Sequence, residues 1–280
     1  MGRAELTRQT IDRLADQTRP PDGIVVVGVS ADDVRGVDQA RGAVEILLAP
    51  RGSCVQRNHG LDALQGRSDV VIFFDDDFVP APNYLEQVER LFTERPDLAG
   101  LTGKLIADGI HGTGLTFEQA IDLVRQDRPP EPPRTENIGA LYGCNMALRM
   151  AMVGDVRFDE NLPLYGWQED IDFSRSVGMR GPLLSTSRLR GVHMGARGGR
   201  TSGVRFGYSQ IANPFYLIRK RTMPPGMAIA LATRNFAANL RGSIRPEQHI
   251  DRRGRLRGNL LALLDIARRR SDPRNILDLA

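Results

Sequence analysis

The sequence predicts a layered α/β fold, with a mostly parallel sheet flanked by helices and a helical C-terminal extension. Three observations carry this expectation. Short apolar strands alternate with helical segments through the first third of the chain. One of those strands, Val70-Val71-Ile72-Phe73-Phe74, is apolar at every position and runs into Asp75-Asp76-Asp77. From Asn213 onward the strand pattern stops, and mostly helical, arginine-rich sequence takes over.

The elements follow in order. Glu5 to Gln17 reads as a helix with Leu6, Ile11 and Leu14 on one face. Thr18-Arg19-Pro20-Pro21-Asp22-Gly23 breaks it, and Ile24 to Val27 is a short buried strand. A layered sheet that opens on a helix is unusual, so a first strand is expected to be missing. Residues 44–48 give the next strand, and Cys54 to Leu64 a helix. The all-apolar run 70–74 reads as a central strand buried on both faces. Carboxylates at its carboxyl end lie where open α/β sheets bind ligands. Pro80 and Pro82 are expected to stop the ladder.

Asn83 to Glu94 forms a helix with Tyr84, Val88, Leu91 and Phe92 inward. Gly100 to Lys104 suits a strand, and 105–135 reads as loop around Arg128-Pro129-Pro130-Glu131-Pro132-Pro133-Arg134. Ile138 approaches Gly143-Cys144-Asn145, with a helix expected through Met150. A helix starts at Glu169, and 183–192 form a last strand leading to His193. Residues 1–215 are read as the catalytic domain and 216–280 as the extension.

Composition narrows the function classes. Hydrophobic content of 41% and charged content of 26% suit a globular protein. The net charge of +4 comes almost wholly from arginine, because Lys104 and Lys220 are the only lysines. Cys54 and Cys144 are far apart without metal-type spacing, which suits a reduced, intracellular protein. No apolar run is long enough to span a membrane, and Met1 to Arg13 lacks the apolar core of a signal peptide. No basic patch is interleaved with aromatics, so nucleic acid is not an expected partner.

Three adjacent carboxylates repel one another. A hard divalent cation with a phosphorylated ligand relieves that repulsion, whereas a solvated acidic turn is the plain alternative. No glycine-rich, lysine-bearing phosphate loop is visible, which disfavours a nucleotidyltransferase.

Five elements in order carry a resemblance. They are Gln17-Thr18-Arg19-Pro20-Pro21-Asp22, Gln56-Arg57-Asn58-His59-Gly60-Leu61, Phe74-Asp75-Asp76-Asp77, Gly143-Cys144-Asn145-Met146-Ala147-Leu148-Arg149 and Glu169-Asp170-Ile171-Asp172. Together they resemble glycosyltransferase family 2, with the GT-A nucleotide-diphospho-sugar fold, of the bacterial polysaccharide or cell-envelope type. The resemblance implies an inverting hexosyltransferase that moves a sugar from a nucleotide-diphosphate sugar to a hydroxyl of a glycan or lipid-linked glycan. The alternatives are a nucleotidyltransferase and an inactive, nucleotide-sugar-binding relative.

The resemblance also implies roles. Asp77, with His193 as a further ligand, would hold Mg²⁺ or Mn²⁺; a lone histidine such as His193 is more often structural. Asp75 and Asp76 would contact the donor, Asp75 at the sugar or ribose. Arg57 and Asn58 would lie near the nucleotide, with Arg57 otherwise an ion-pair partner. Asp170, flanked by Glu169 and Asp172, is the expected general base. Trp167 would stack on an acceptor sugar or anchor the core. Arg200, in a glycine-flanked loop, would close over the diphosphate or remain solvated. Apolar helices beside Arg252-Arg253, Arg255, Arg257 and Arg268-Arg269-Arg270 suit either an anionic membrane surface or a helical cap. The expected location is the cytoplasm, including the inner face of the membrane.

Overall fold

The computed structural model describes residues 3–196, 202–245, 247 and 250–279. The chain divides into two compact units. The first comprises Met1–Arg51, Val55–Arg157 and Phe173–Gly199, and the second Gly52–Cys54, Phe158–Asp172 and Arg200–Ala280.

In the first unit, α1 (Ala4–Ala15) buries Thr10, Ile11 and Leu14 along one stripe. The strands β1 (Ile24–Gly28) and β2 (Val44–Leu48) pair in parallel as a separate two-stranded sheet. The next helix is α2 (Ser53–Leu64), whose Gln56 donates Nε2 to the Val27 carbonyl at 2.7 Å. Then come β3 (Val70–Phe74), β4 (Phe78–Pro80), α3 (Tyr84–Glu94) and β5 (Gly100–Asp108). They are followed by α4 (Phe117–Gln126), β6 (Thr135–Asn137), β7 (Asn145–Arg149), α5 (Met150–Val153), α6 (Glu169–Gly178, of which Phe173 onward belongs to this unit) and β8 (Leu183–His193). The larger sheet runs β3-β7-β5-β8-β4, with β6 also paired to β8.

The layered α/β architecture is the expected one, but strand direction and placement differ from expectation. In the larger sheet β5–β8 is parallel, whereas β3–β7, β5–β7, β4–β8 and β6–β8 are antiparallel. Alternation of strands with helices and an all-apolar strand favour parallel pairing, but the directions here are set by which strands meet in the sheet, which neither pattern encodes. Nor is β3 central. It ends the sheet, and among the described residues no strand pairs with its other edge. Only Val71 of its five residues is fully buried.

Pro80 does end its strand, as expected. It lies in β4, the opposite edge, where its lack of an N–H is tolerated. The Gly143–Arg149 element is a strand at 145–149 where a helix was expected. The stretch read as loop contains α4, whose Thr116 and Gln119 form a reciprocal capping box at 3.2 and 2.9 Å.

The main core packs α3 against the sheet through Phe78, Tyr84, Val88, Leu91, Phe92, Leu101 and Leu189. Phe74 and Phe78 stack at 5.1 Å, and Tyr84 meets both edge-on at 5.3 and 5.9 Å. These two rings flank the three-aspartate turn, and Phe78 N–H donates to the Asp75 carbonyl at 3.0 Å. The turn is therefore held from both sides by core aromatics.

The second unit is built on α7 (Gly203–Lys220), α8 (Pro225–Ile244) and α9 (Arg252–Ala267). Tyr208, Ile211, Ala212, Ala262 and Ile276 form its apolar core. A Cβ on Gly207 would lie 2.0 Å from the Arg255 carbonyl oxygen, and one on Gly258 2.0 Å from that of Val204. Glycine at both positions lets the α7 and α9 backbones touch. Beside that crossing, buried Asn239 donates to Gln210 at 2.7 Å and to Asn259 at 2.9 Å. Asn259 donates to the Gly207 carbonyl at 2.6 Å. These satisfied polar groups fix the register of the three helices.

Candidate active site

The acidic turn gathers residues from four parts of the first unit. Ligand atoms of Asp75, Asp77 and His193 all lie within 4.8 Å of one another. His193 ends β8, and its Nε2 is 3.4 Å from Asp77 Oδ1 and 3.9 Å from Asp75 Oδ2. The other ring nitrogen, Nδ1, is 3.0 Å from Asp108 Oδ1. Asp108 ends β5 and also accepts from the Tyr142 hydroxyl at 3.1 Å. A carboxylate on Nδ1 orients the ring so that Nε2 faces the other two aspartates. Asp77 Oδ2 accepts from the Ala196 N–H at 2.6 Å.

Arginines supply the counter-charge. Arg3 lies 2.9 Å from Asp76 and 3.4 Å from Asp77. Arg57 donates to Asp75 at 3.0 Å and to the Gly143 carbonyl at 3.1 Å. Burial nevertheless pushes the Asp75 carboxyl up, and neighbouring Asp77 adds to the rise against Arg57. Burial pushes Asp76 up to about 6 in spite of Arg3. Asp77 goes the other way: burial would raise it, but His193, Arg3 and the Ala196 N–H together hold it below the ordinary value. His193 is pushed up to about 10, because its carboxylate partners outweigh the burial that disfavours its charge.

The donor set, two carboxylates and an imidazole, could hold a divalent cation. Burial, with the neighbouring carboxylates as a smaller cause, raises Asp75 and Asp76 in spite of Arg57 and Arg3.

The second unit carries the other acids. Glu169, Asp170 and Asp172 occupy the first turn of α6, favoured by the positive end of its dipole. Glu169 N–H donates to the Gly166 carbonyl at 2.7 Å, and the Asp170 carboxylate caps the Ile171 N–H at 2.8 Å. Leu164 (φ 59°), Gly166 (φ 64°) and Gln168 (φ 74°) put three left-handed residues into the approach. Exposed Tyr165 stacks on Trp167 at 6.3 Å, and Phe206 of α7 meets Trp167 edge-on at 4.9 Å.

Residues 2–156 match the sequence profile of Glycosyl transferase family 2, a span of more than half of this 280-residue chain. The chain belongs to that family. Solved structures add a likeness of fold. The Pyrobaculum calidifontis mannosyltransferase PcManGT, in complex with GDP-Man and Mn²⁺, is 16% identical over 95% of this chain and 72% of its own, with TM-score 0.50. GalNAc-T7 with UDP, GalNAc and Mn²⁺ gives 15% identity over 75% of this chain and 48% of its own, TM-score 0.49. TarS of S. aureus gives 15% over 76% and 37%, TM-score 0.48. No curated protein matches the sequence.

In this family 2 chain, the residues expected from sequence fall into two groups. Asp75, Asp77 and His193 converge, with Asp76 and Arg57 joined to them by ion pairs or by adjacency. Asn58 is buried on α2, next to Arg57. Glu169, Asp170 and Trp167 belong to the second unit. Arg200 lies outside the described residues. Sequence reasoning missed Asp108, Tyr142 and Arg3. The signal for Asp108 was a carboxylate at the end of a strand, hidden because 105–135 was read as loop. Among the described residues, no helix is long and apolar enough to cross a membrane.

Proposed function

We propose that this family 2 glycosyltransferase is an inverting, metal-dependent enzyme that moves a hexose from a nucleotide-diphosphate sugar to a hydroxyl of a glycan or lipid-linked glycan. The observation that carries the reading is the convergence of Asp75, Asp77 and His193 within 4.8 Å at the carboxyl end of β3. Asp77 and His193, with Asp75 beside them, would hold Mn²⁺ or Mg²⁺. Such an ion supplies Lewis-acid stabilisation of the departing diphosphate.

The other roles fall to side chains of the chain itself. Asp108 keeps the His193 ring oriented. Arg57 holds Asp75 in place, and with Asn58 and Asp76 it belongs to the donor-binding group. Arg200 is assigned to the diphosphate. Asp170 takes the proton from the acceptor hydroxyl, with Glu169 next to it. The acceptor oxygen forms its bond to the anomeric carbon as the bond from that carbon to the diphosphate oxygen breaks. Attack opposite the leaving group inverts the anomeric centre. Trp167 offers an indole face to the acceptor sugar.

The C-terminal helices suit a peripheral role in exopolysaccharide or cell-envelope synthesis on the cytoplasmic face of a membrane. Met227, Ile229, Leu240, Ile244, Leu260, Leu263 and Leu264 are exposed. Arg241, Arg253 and Arg257 are exposed on the same helices, and Arg245 directly after α8. Apolar side chains beside arginines favour anionic lipid. Sedimentation of the full chain with anionic vesicles, and its absence with neutral ones, is the expected result.

The deciding experiment is product analysis. Nucleoside diphosphate release from one of a panel of nucleotide sugars, dependent on Mn²⁺ or Mg²⁺, is expected. Pyrophosphate release would instead make the chain a nucleotidyltransferase, and nucleotide binding without release a binding-only relative. Asp170→Asn is expected to keep nucleotide binding and to lose transfer by roughly 10²–10⁴-fold. Normal turnover by that variant would remove Asp170 from the role of base.

A further inference from the structure

We infer that Lys220, on the last turn of α7, is a positioning residue for the acid-bearing segment 159–172, acting through Asp159 and Asp172. The inference rests on the reading of Asp170 as the base. Lys220 Nζ donates to Asp159 Oδ2 at 2.7 Å and to Asp172 Oδ2 at 2.6 Å. Those two aspartates bracket the stretch that carries Trp167, Glu169 and Asp170. One ammonium thus ties both ends of that stretch to one point of the second unit.

The rest of α7 supports the same arrangement. Tyr216, one turn before Lys220, donates its hydroxyl to Asp159 at 2.8 Å. Asn213, a further turn back, donates Nδ2 to the Trp167 carbonyl at 2.8 Å. Residues 213, 216 and 220 share one helix face. That face holds the segment at its beginning, middle and end. The segment needs such support, because Leu164 and Gln168 sit at positive φ without being glycine. Conformations of this kind persist only where the surroundings over-determine them.

The residue type points the same way. Of the chain's 38 basic residues, all but Lys104 and Lys220 are arginine. A chain that uses arginine almost everywhere has lysine where two carboxylates, 9% and 1% exposed, must share one cation. A compact ammonium fits between them, whereas a guanidinium presents a wide planar fork suited to one carboxylate. The end of α7 also places the cation at the negative pole of the helix.

The test compares Lys220→Met, Lys220→Arg and, as control, Lys104→Met, each in the full chain. Lys104 pairs with Glu136 on the surface of the first unit. Lys220→Met is expected to lower kcat by roughly 10–100-fold while donor KM moves less than about twofold, the signature of a misplaced group and not of lost binding. Lys220→Arg is expected to recover only part of that loss, and Lys104→Met to behave as wild type. Amide hydrogen exchange over 164–170 should speed up in Lys220→Met with the rest of α7 unchanged. A folded Lys220→Met with wild-type kcat, or with unchanged exchange over 164–170, would overturn the inference. If Lys220→Met does not fold, Lys220→Arg decides: full activity with unchanged exchange over 164–170 overturns it. Should Asp170→Asn turn over normally, the base assignment fails, and the exchange measurement still judges Lys220.

Discussion

Two acidic regions of this chain solve the same electrostatic problem in opposite ways. At the three-aspartate turn, Arg3, Arg57 and His193 face four carboxylates, and Asp75 and Asp76 are still pushed up. In segment 159–172, burial acts to raise Asp159, but Lys220 and Tyr216 outweigh it and hold it below its ordinary value. Carboxylates that are buried on adjacent residues are not all relieved by side chains reaching in from elsewhere. An aspartate given a phenol and a share of one ammonium is. The first arrangement is left receptive to an added cation. The second has its charge met by Lys220 and Tyr216 of α7.

Several substitutions would break or sharpen this contrast. The largest effect is expected from Asp77→Ala, which removes the best-buried carboxylate of the turn. Transfer should fall by about 10³-fold or more, and metal-dependent nucleotide binding should vanish from a thermal-shift panel of UDP, GDP, dTDP and CDP with and without Mn²⁺. Asp108→Asn leaves the three ligand atoms in place and loosens only the ring behind them. Mn²⁺ affinity measured by calorimetry should weaken by roughly 10–100-fold. Wild-type affinity would show that Asp108 does not orient His193.

A third substitution touches neither acid. Gly207→Ala pushes a methyl into the Arg255 backbone, and urea unfolding should report a loss of about 1–3 kcal/mol.

The smallest effect is a pH dependence in metal-free protein. His193 has its folded value raised from 6.5 to about 10. Its stabilising contribution is therefore complete below pH 6.5 and is lost as pH rises toward 10. The difference in melting temperature between wild type and His193→Gln should be widest below pH 6.5 and should close toward pH 10. At Asp159 the folded value is lowered, so its contribution is present above the ordinary 3.8 and fades only as pH falls below it. A wild-type to Asp159→Asn difference that stays constant from pH 5 up to 8 and shrinks only in acid would confirm that the two regions titrate in opposite senses.

Local pattern made much of the molecule legible. The inward stripe of α3, the span of β2 and the last strand ending at His193 all match expectation. Each is defined by side-chain period over its own length. The motif order also led to the family that the profile match shows.

What was misread depended on neighbours. The apolar run of β3 looked central, yet its pairing leaves it at the sheet's end. Residues 145–149 are helix-tolerant but form β7, between β3 and β5, because ladder pairing on both sides overrides weak propensity. The proline-rich sequence that follows α4 hides it, although Thr116 and Gln119 mark its start.

The sequence by itself determined which segments are strands or helices where the period is strong, and that three carboxylates end one strand. It also determined where arginine gives way to lysine. Only the tertiary structure decided which groups meet those acids. His193 is 116 positions from Asp77 along the chain, Asp108 is 85 from His193, and Lys220 is 61 from Asp159. No local period encodes contacts at such separations. They arise when burial of apolar faces brings strand ends and helix ends together, and the polar groups carried there then pair by charge and hydrogen bonding.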